Sequence, residues 1–446
     1  MSKTLNMTQG SPLKLLIRFS LPLMFGNVFQ QLYTVVDTAI VGKGVGMAAL
    51  AALGGVDWLN WMMLGIAQGF TQGFSVRVAQ KFGENDPEGL QSIMGQSALL
   101  SGLLAILCLL IGQLALPVFL MLLRVPGELC SMASLYTRIL FAGLPAVFFF
   151  NYCSAMLRAV GDSKTPLVAM AIASVLNIVL DIVAVFVLQW GIAGAAVATL
   201  LAQCLSGVIC MVKILRTPLL RFHKSDLLPN KNVLRNLLKI GTPSAAKNTV
   251  IALGGIVVMA VVNTFGTAFI AGFTSTNKLY GLLEICALSY GYAVITYVGQ
   301  NYGAMRFDRI RSGMKSATIL AIVTALVISG LMFLFGRPIT MLFISTENPA
   351  DAIAAGNVAY HYLCVMAAWL PVLYVLYLLL SVLQGLGDTV RPMISGFVEL
   401  GLRVAVAGIV AYAGHATGIF WAEIAAWLGA TLFLAYHYRK RIKKGL

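Results

Sequence analysis

The sequence predicts an all-α membrane protein of twelve transmembrane helices, built as two six-helix lobes related by a parallel repeat. Three observations predict it. Of 446 residues, 59% are hydrophobic and only 11% charged, and the mean hydropathy is +0.88. A soluble chain of this length needs far more polar surface to cover its core. Apolar runs long enough to cross a bilayer recur from end to end, and the two halves of the chain share Pro and Gly punctuation at nearly constant offsets.

The first span, near 15–41, lacks a short apolar core followed by a small-residue cleavage site, so it is expected to stay in the protein. It contains Pro22 and the stretch NVFQQLYTVVDTAIVG. Within it Asn27, Gln30, Thr34 and Asp37 step by three, four and three along one helix face. The next spans, near 49–75 and 92–118, bring Asp57 at a predicted outer end and a run of Trp61, Met62 and Met63. The span near 131–157 carries Pro145, Asn151 and Ser154. In the span near 166–188, Asn177 precedes Asp181 by one turn, so the two share a face. Thr199 lies in the span near 192–214.

A polar, basic linker, RTPLLRFHKSDLLPNKNVLRN, follows. It suits a cytoplasmic connection and divides the chain into an N-lobe (1–215), the linker (216–239) and a C-lobe (240–446). The C-lobe spans lie near 240–264, 272–298, 315–340, 356–383, 392–413 and 418–438. Pro22 pairs with Pro243, Gly46 with Gly266, Gln80 with Gln300, Gly83 with Gly303, Pro145 with Pro371, Gly161-Asp162 with Gly387-Asp388, and Pro166 with Pro392. Six spans per half make both halves enter from the same side, which is a parallel repeat. Two related bundles with a cleft between them are an architecture for alternating access.

The net charge is +15, from 31 Lys and Arg against 16 Asp and Glu. All but seven of the 31 (Lys43, Arg124, Arg138, Lys247, Lys278, Arg337 and Arg403) fall at the N-terminus, in alternate loops and in the tail RKRIKK. That asymmetry is the positive-inside pattern. It places both termini in the cytoplasm of a multi-pass protein of the cell (inner) membrane, and it argues against a nucleic-acid partner. Seven scattered cysteines without CxxC or Cys/His spacing read as small apolar residues. His223, His361, His415 and His437 lie apart and form no metal set.

A carboxylate at the bilayer centre costs about 2.5–3.5 kcal/mol on insertion scales, so residues of this kind face the protein interior and serve function. Asp57, Lys278 and Glu423 lie near predicted outer ends and read as wetted or snorkelling side chains. Asp37 and Asp181 lie deeper. If the N-lobe closes into a bundle, Asn177, Asn151 and Thr199 converge with them. Two carboxylates in a low-dielectric pocket repel and are poorly solvated, so the pair suits uptake of a proton, or of Na⁺ through carboxylate and amide oxygens. At the C-lobe counterparts of Asp37, Asn177 and Asp181 stand Val258, Arg403 and Ala407. Glu399 and Arg403, one turn apart, suit an internal ion pair. Together with Lys247 and Glu284 they alternatively face the cleft and select charged substrates, with Gln30, Tyr33, Thr34 and Met63 completing a substrate cavity.

GxGxxG, Walker, HExxH and DDxxD patterns are absent, as is a nucleotide-binding domain. ATP-driven transport and common membrane-enzyme chemistry lack their residues, and no cofactor is expected.

The spacing from Pro22 through Gln30 and Tyr33 to Asp37 resembles the first helix of multidrug and toxic compound extrusion (MATE) transporters. VGQNYGA, LRAVGDSKTP and NIVLD, in that order, extend the resemblance over essentially the whole chain. The resemblance implies the MATE, or MOP-type, fold and a twelve-helix, two-lobed antiporter; a monomer is expected. Such a protein exports amphipathic, often cationic drugs in exchange for H⁺ or Na⁺. In the prokaryotic DinF-like branch the N-lobe cation site maps to Asp37, Asn177 and Asp181, with Asn151 and Thr199 as surround, and the first helix bends at the proline matching Pro22. The competing transport reading is a lipid-linked oligosaccharide flippase of the same superfamily, which calls for a more cationic cleft than these acids and amides offer. A membrane enzyme needs a nucleophile or metal constellation that the sequence lacks.

Overall fold

A computed structural model describes residues 5–123, 125–344 and 349–443, with the backbone alone at Met47, Leu50 and Pro349. Arg124 and the end of the basic tail lie outside the described residues. Among them the chain forms α1 Pro12–Gly44, α2 Met47–Glu84, α3 Pro87–Leu122, α4 Gly127–Ala142, α5 Leu144–Ala159, α6 Lys164–Ile182 and α7 Gly191–Leu215. After two 3₁₀ turns come α8 Lys231–Val262, α9 Thr267–Gly303, α10 Phe307–Met341, α11 Pro349–Gly385, α12 Val390–Ala413 and α13 Trp421–Lys443. Only helix satisfies every backbone group locally in hydrocarbon, which is why apolar runs of this length fold in this way.

Ten of the described helices are long and apolar enough to cross a membrane, and the bent pair α4–α5 makes eleven. α2, at 38 residues, is also longer than a crossing needs, which gives the expected twelve. Windows on α3 and α10 are only 22% buried and expose Leu107, Leu114, Leu326 and Leu334. Those on α9 and α11 are 67% and 56% buried. The first pair is suited to face lipid, the second to form the interior.

Two expected spans are not single α-helices. The span near 131–157 breaks at Gly143 into α4 and α5, which meet at 45°. Pro145 sits in the first turn of α5, where its missing N–H costs nothing. A Cβ on Gly143 would strike Leu200 of α7, so the bend brings backbone against side chain. Its repeat partner α11 runs unbroken through Pro371. The span near 166–188 leaves α-geometry after Ile182 for a π turn, Val183–Val187.

The chain divides into two compact units: Met1–Gln9 with Leu21–Thr249 and Gly299–Met305, and Gly10–Ser20 with Val250–Val298 and Arg306–Leu446. Within the first, the ends of α2 and α9 cross at the repeated QxxG motif. A Cβ on Gly83 would collide with the carbonyl of Gln300, and one on Gly303 with the carbonyl of Gln80. The two motifs thus pack reciprocally, each glycine against the other's backbone. Farther along α2, Gly69 and Gly73 meet Ala245 and Gly241 of α8 just as closely. Small residues four apart on both helices are the pattern that lets backbones touch where lipid supplies no hydrophobic drive.

The N-terminal segment is fixed to this crossing. The Met7 N–H donates to Gln300 Oε1 at 2.8 Å, and Asn301 Nδ2 donates to the Met7 carbonyl at 3.0 Å. Gln300 Nε2 reaches the Ala159 carbonyl at 2.8 Å, and the Leu5 N–H donates to Gly161, whose φ of +90° suits glycine alone.

Valine at Gly83 or Gly303 must push a backbone carbonyl aside. Either substitution is expected to cost about 3 kcal/mol or more, read as a lowered melting temperature in detergent. Gly102→Ala, whose Cβ meets nothing within 4 Å, is expected to leave melting unchanged.

Candidate functional site

α1 lies along α6 in the first unit, with a glycine at each end of the contact. Gly26 faces the Leu167 backbone, with 3.7 Å from an added Cβ to the Leu167 Cα, and Gly44 packs on Val185 of the π turn. Ser174 Oγ donates to the Met170 carbonyl at 2.8 Å and lies 3.4 Å from the Phe29 carbonyl of α1. Eight residues beyond Phe29 is Asp37, and seven beyond Ser174 is Asp181. The helices run in parallel at 1.5 Å per residue, so the two carboxylates arrive at one level. They lie within electrostatic reach of each other.

This pair is buried: Asp37 is 8% exposed, Asp181 0% and Asn177 1%. Neither carboxylate oxygen of Asp181, nor Asp37 Oδ1, nor either polar atom of Asn177 has a hydrogen-bond partner among the described residues. Burying unsatisfied polar atoms costs on the order of 1–3 kcal/mol each. The π turn begins two residues after Asp181; π turns of this kind often mark functional sites.

The other expected residues lie on α1, α2, α5, α7 and α8. Tyr33, half-buried one turn before Asp37, lies within electrostatic reach of both carboxylates. Gln30 is half-buried on the same helix, and Thr34 is exposed, its hydroxyl bonded to the Gln30 carbonyl at 3.0 Å. Pro22 lies inside α1, which continues past it, and it removes a backbone donor there. Asn151 Nδ2 is committed to the Val147 carbonyl of its own helix at 2.9 Å. Thr199 is half-buried on α7, which packs on α6. Met63 is buried in an apolar cluster with Ile40, Leu59 and Tyr136. Lys247 is half-buried on the part of α8 that belongs to the first unit.

Tyr136 joins the site without a signal in the sequence. This α4 residue is 8% exposed and lies within electrostatic reach of Asp37, Asp57, Tyr33 and Asp181. Nothing in MASLYTRIL sets it apart, because only the fold of α4 against α2 turns it inward.

The second unit carries a different polar cluster. Arg403 on α12, 5% exposed, donates from Nε to Glu423 Oε1 at 3.0 Å and from Nη2 to Glu423 Oε2 at 2.7 Å. Its Nη2 also lies 3.4 Å from Glu399 Oε2, one turn earlier. The expected Glu399–Arg403 pair therefore forms, but the closer partner is Glu423. The reading of Glu423 as a wetted outer-end residue is corrected: its side chain is 17% exposed and holds a bidentate ion pair. Asp57 and Lys278 are exposed, as expected. Glu284 accepts a hydrogen bond from the Tyr377 hydroxyl, and Tyr280 lies within reach of Glu284, Glu399, Glu423 and Arg403. Gly254 of α8 makes room for the guanidinium, since an added Cβ would sit 3.0 Å from Arg403 Cδ.

Removing one partner from such a network strands the others. Arg403→Leu is expected to destabilise by about 3–5 kcal/mol, and Arg403→Leu with Glu399→Leu and Glu423→Leu to recover most of it. Thermal melts of the purified variants in detergent read both outcomes.

A family model described as MatE matches residues 22–183 and 243–409, one copy in each half of the repeat. The "Probable multidrug resistance protein YpnP" of Bacillus subtilis (strain 168) is 30% identical over 397 residues, 89% of this chain and 88% of its own. A structure described as the "Outward-facing conformation of a multidrug resistance MATE family transporter of the MOP superfamily" superimposes with a TM-score of 0.92 at 24% identity, covering 100% of this chain and 99% of its own. A MOP superfamily transporter from Pyrococcus furiosus, described as having a binding pocket of reverse polarity, gives 0.92 at 25% identity, covering 99% and 98%. With the fold, the repeat and both halves of the family model in agreement, the chain belongs to the MatE family and is a multidrug-efflux-type membrane transporter, not an enzyme.

Proposed function

We propose that this transporter is a secondary antiporter. It expels amphipathic, cationic organic compounds in exchange for H⁺ or Na⁺, with the N-lobe (1–215) and C-lobe (240–446) alternating access across the cell membrane. The observation that carries the reading is the buried pair Asp37–Asp181 beside Asn177, in which Asp37 Oδ1, both Asp181 oxygens and the Asn177 amide lack hydrogen-bond partners among the described residues. Carboxylate and amide oxygens without protein donors are what a monovalent cation needs, and a site two helices can open by sliding apart can also release it. Asn151 and Thr199 extend the ring of oxygens, and Pro22 supplies the place where α1 can bend. Gln30, Tyr33, Thr34 and Met63 line the cargo path of the N-lobe, while Lys247, Glu284, Glu399 and Arg403 set its charge preference from the other half.

Cationic cargo is favoured by the charge count around Tyr280. Three carboxyl groups, those of Glu284, Glu399 and Glu423, and one guanidinium lie within electrostatic reach of Tyr280. A pyrophosphate-bearing lipid-linked substrate calls for the opposite balance, which weighs against the flippase reading and against the pocket polarity described for the Pyrococcus furiosus relative. The placement of basic residues supports cytoplasmic termini, and a monomer suffices because both lobes lie on one chain. Energy is sufficient, since one charge moving through 100 mV yields about 2.3 kcal/mol before any concentration gradient is counted.

The test is dye efflux from proteoliposomes driven by a pH gradient alone or by a Na⁺ gradient alone. Asp37→Asn and Asp181→Asn are each expected to abolish efflux under the driving gradient while leaving the melting temperature within a few degrees. Undiminished efflux in either variant would remove the pair from coupling.

A further inference from the structure

The internal repeat exposes a groove that is filled in one half and open in the other. At the end of α3 the linker after α7 folds back against the helix. Gln91 Nε2 donates to the Pro218 carbonyl at 3.3 Å, and Gln96 Nε2 donates to the carbonyls of Asp226 and Leu228, each at 2.7 Å. Leu220, fully buried, packs with Met94, Tyr152, Cys153 and Ile214 of α3, α5 and α7. Gly95 allows this, since a Cβ there would lie 2.6 Å from the Asp226 carbonyl oxygen.

At the matching offsets in the second half, Arg311 replaces Gln91, Met314 replaces Met94, Lys315 replaces Gly95, and Leu378 and Leu379 replace Tyr152 and Cys153. Between α10, α11 and α13 lies a cavity of about 320 Å³, with Val375, Leu378, Leu379 and Ile442 among its apolar lining and Arg311, Lys315 and Tyr438 among its polar residues. Where the first half sets a glycine under its own backbone, the second sets two exposed cations one helical turn apart. Like charges at that spacing repel. No described carboxylate pairs with either cation. Asp388 is held by Arg391 and Arg441, and among the described residues Arg311 reaches the Ile442 carbonyl, at 3.5 Å.

We propose that this groove binds an anionic phospholipid, its phosphate on Arg311 and Lys315 and one acyl chain on the apolar floor that Leu220 covers in the other half. The amphiphile does in the second half what the linker does in the first: it covers apolar surface between three helix ends. Its headgroup also offsets the repulsion between the two cations. Basic pockets between transmembrane helices at the cytoplasmic face suit anionic headgroups, and Tyr438 suits the headgroup level. Placing the lipid in the cytoplasmic leaflet rests on the orientation proposed above. Binding itself does not, so the two fail separately.

The experiment is native mass spectrometry of delipidated protein titrated with phosphatidylglycerol. Wild type is expected to saturate with one tightly held lipid. Arg311→Ala with Lys315→Ala is expected to weaken that adduct roughly 10- to 30-fold, from about 1 kcal/mol per cation. Arg235→Ala with Lys239→Ala, which removes two exposed charges from α8, leaves it unchanged. Leu379→Trp, filling the floor while keeping both cations, is also expected to weaken it. Phosphatidylcholine with the same chains binds about tenfold or more weakly, and millimolar inorganic phosphate does not displace the lipid. Equal binding by the Arg311/Lys315 variant, or equal loss in both double variants, overturns the proposal. Displacement by inorganic phosphate makes the groove a free-anion site and overturns it too. Tighter binding by a chain ending at Lys443 would make the chain's own tail the occupant, with the same consequence.

Discussion

Helix association in lipid has no hydrophobic drive, so backbones must approach closely enough for dispersion to hold them, and polar groups must find one another. The crossing of α2 and α9 at Gly83 and Gly303 meets that constraint most directly. Each glycine lies against the carbonyl of the glutamine in the opposite motif. Any side chain at either position would part the two helices. The same glutamine, Gln300, then holds the N-terminal segment and the end of α5 through its side chain. A single recurring QxxG thus closes the helices, positions the chain start and ties in the Gly161 turn.

The repeat supplies a frame on which two polar inventories have diverged. α1 and α6 bring together Asp37, Asn177 and Asp181, and the corresponding helices α8 and α12 carry Val258, Arg403 and Ala407. Backbone differences follow the same division. The π turn occurs after α6 and has no counterpart in α12, which is α-helical from Val390 to Ala413. The break at Gly143 has no counterpart in α11. The π turn and the 45° break both lie in the half that carries the buried carboxylates, while the second half has a 3₁₀ segment, Ala416–Phe420, before its last helix. The carboxylate-bearing half is where a transporter needs helices able to shift.

Much of this could be read from the chain before any coordinates. The spans follow from hydropathy, the paired glycines from the repeat, and the Asn177–Asp181 adjacency from helical period. What escaped the sequence depends on contacts between segments. Pro145 and Pro371 look equivalent, yet Gly143 stands before one and Trp369 before the other. Only the approach of Leu200 shows why the first helix breaks. Glu423 seemed an outer-end acid because its partner, Arg403, lies on a different helix. Tyr136 carried no signal at all, since its exposure is decided by how α4 packs rather than by its neighbours in sequence.

Both clusters bury carboxylates, but they dispose of the charge in opposite ways. Around Arg403 the bidentate bond to Glu423 and the contact to Glu399 satisfy most of what burial strips away. A network already bonded to itself has little to offer a coupling ion and much to lose if opened. Asp37 and Asp181 sit equally far from water and hold no such partner. The cation exchange proposed above would relieve that cost for part of the time. Relief that comes and goes is a change in free energy between two states, and two related lobes can convert such a change into movement of cargo.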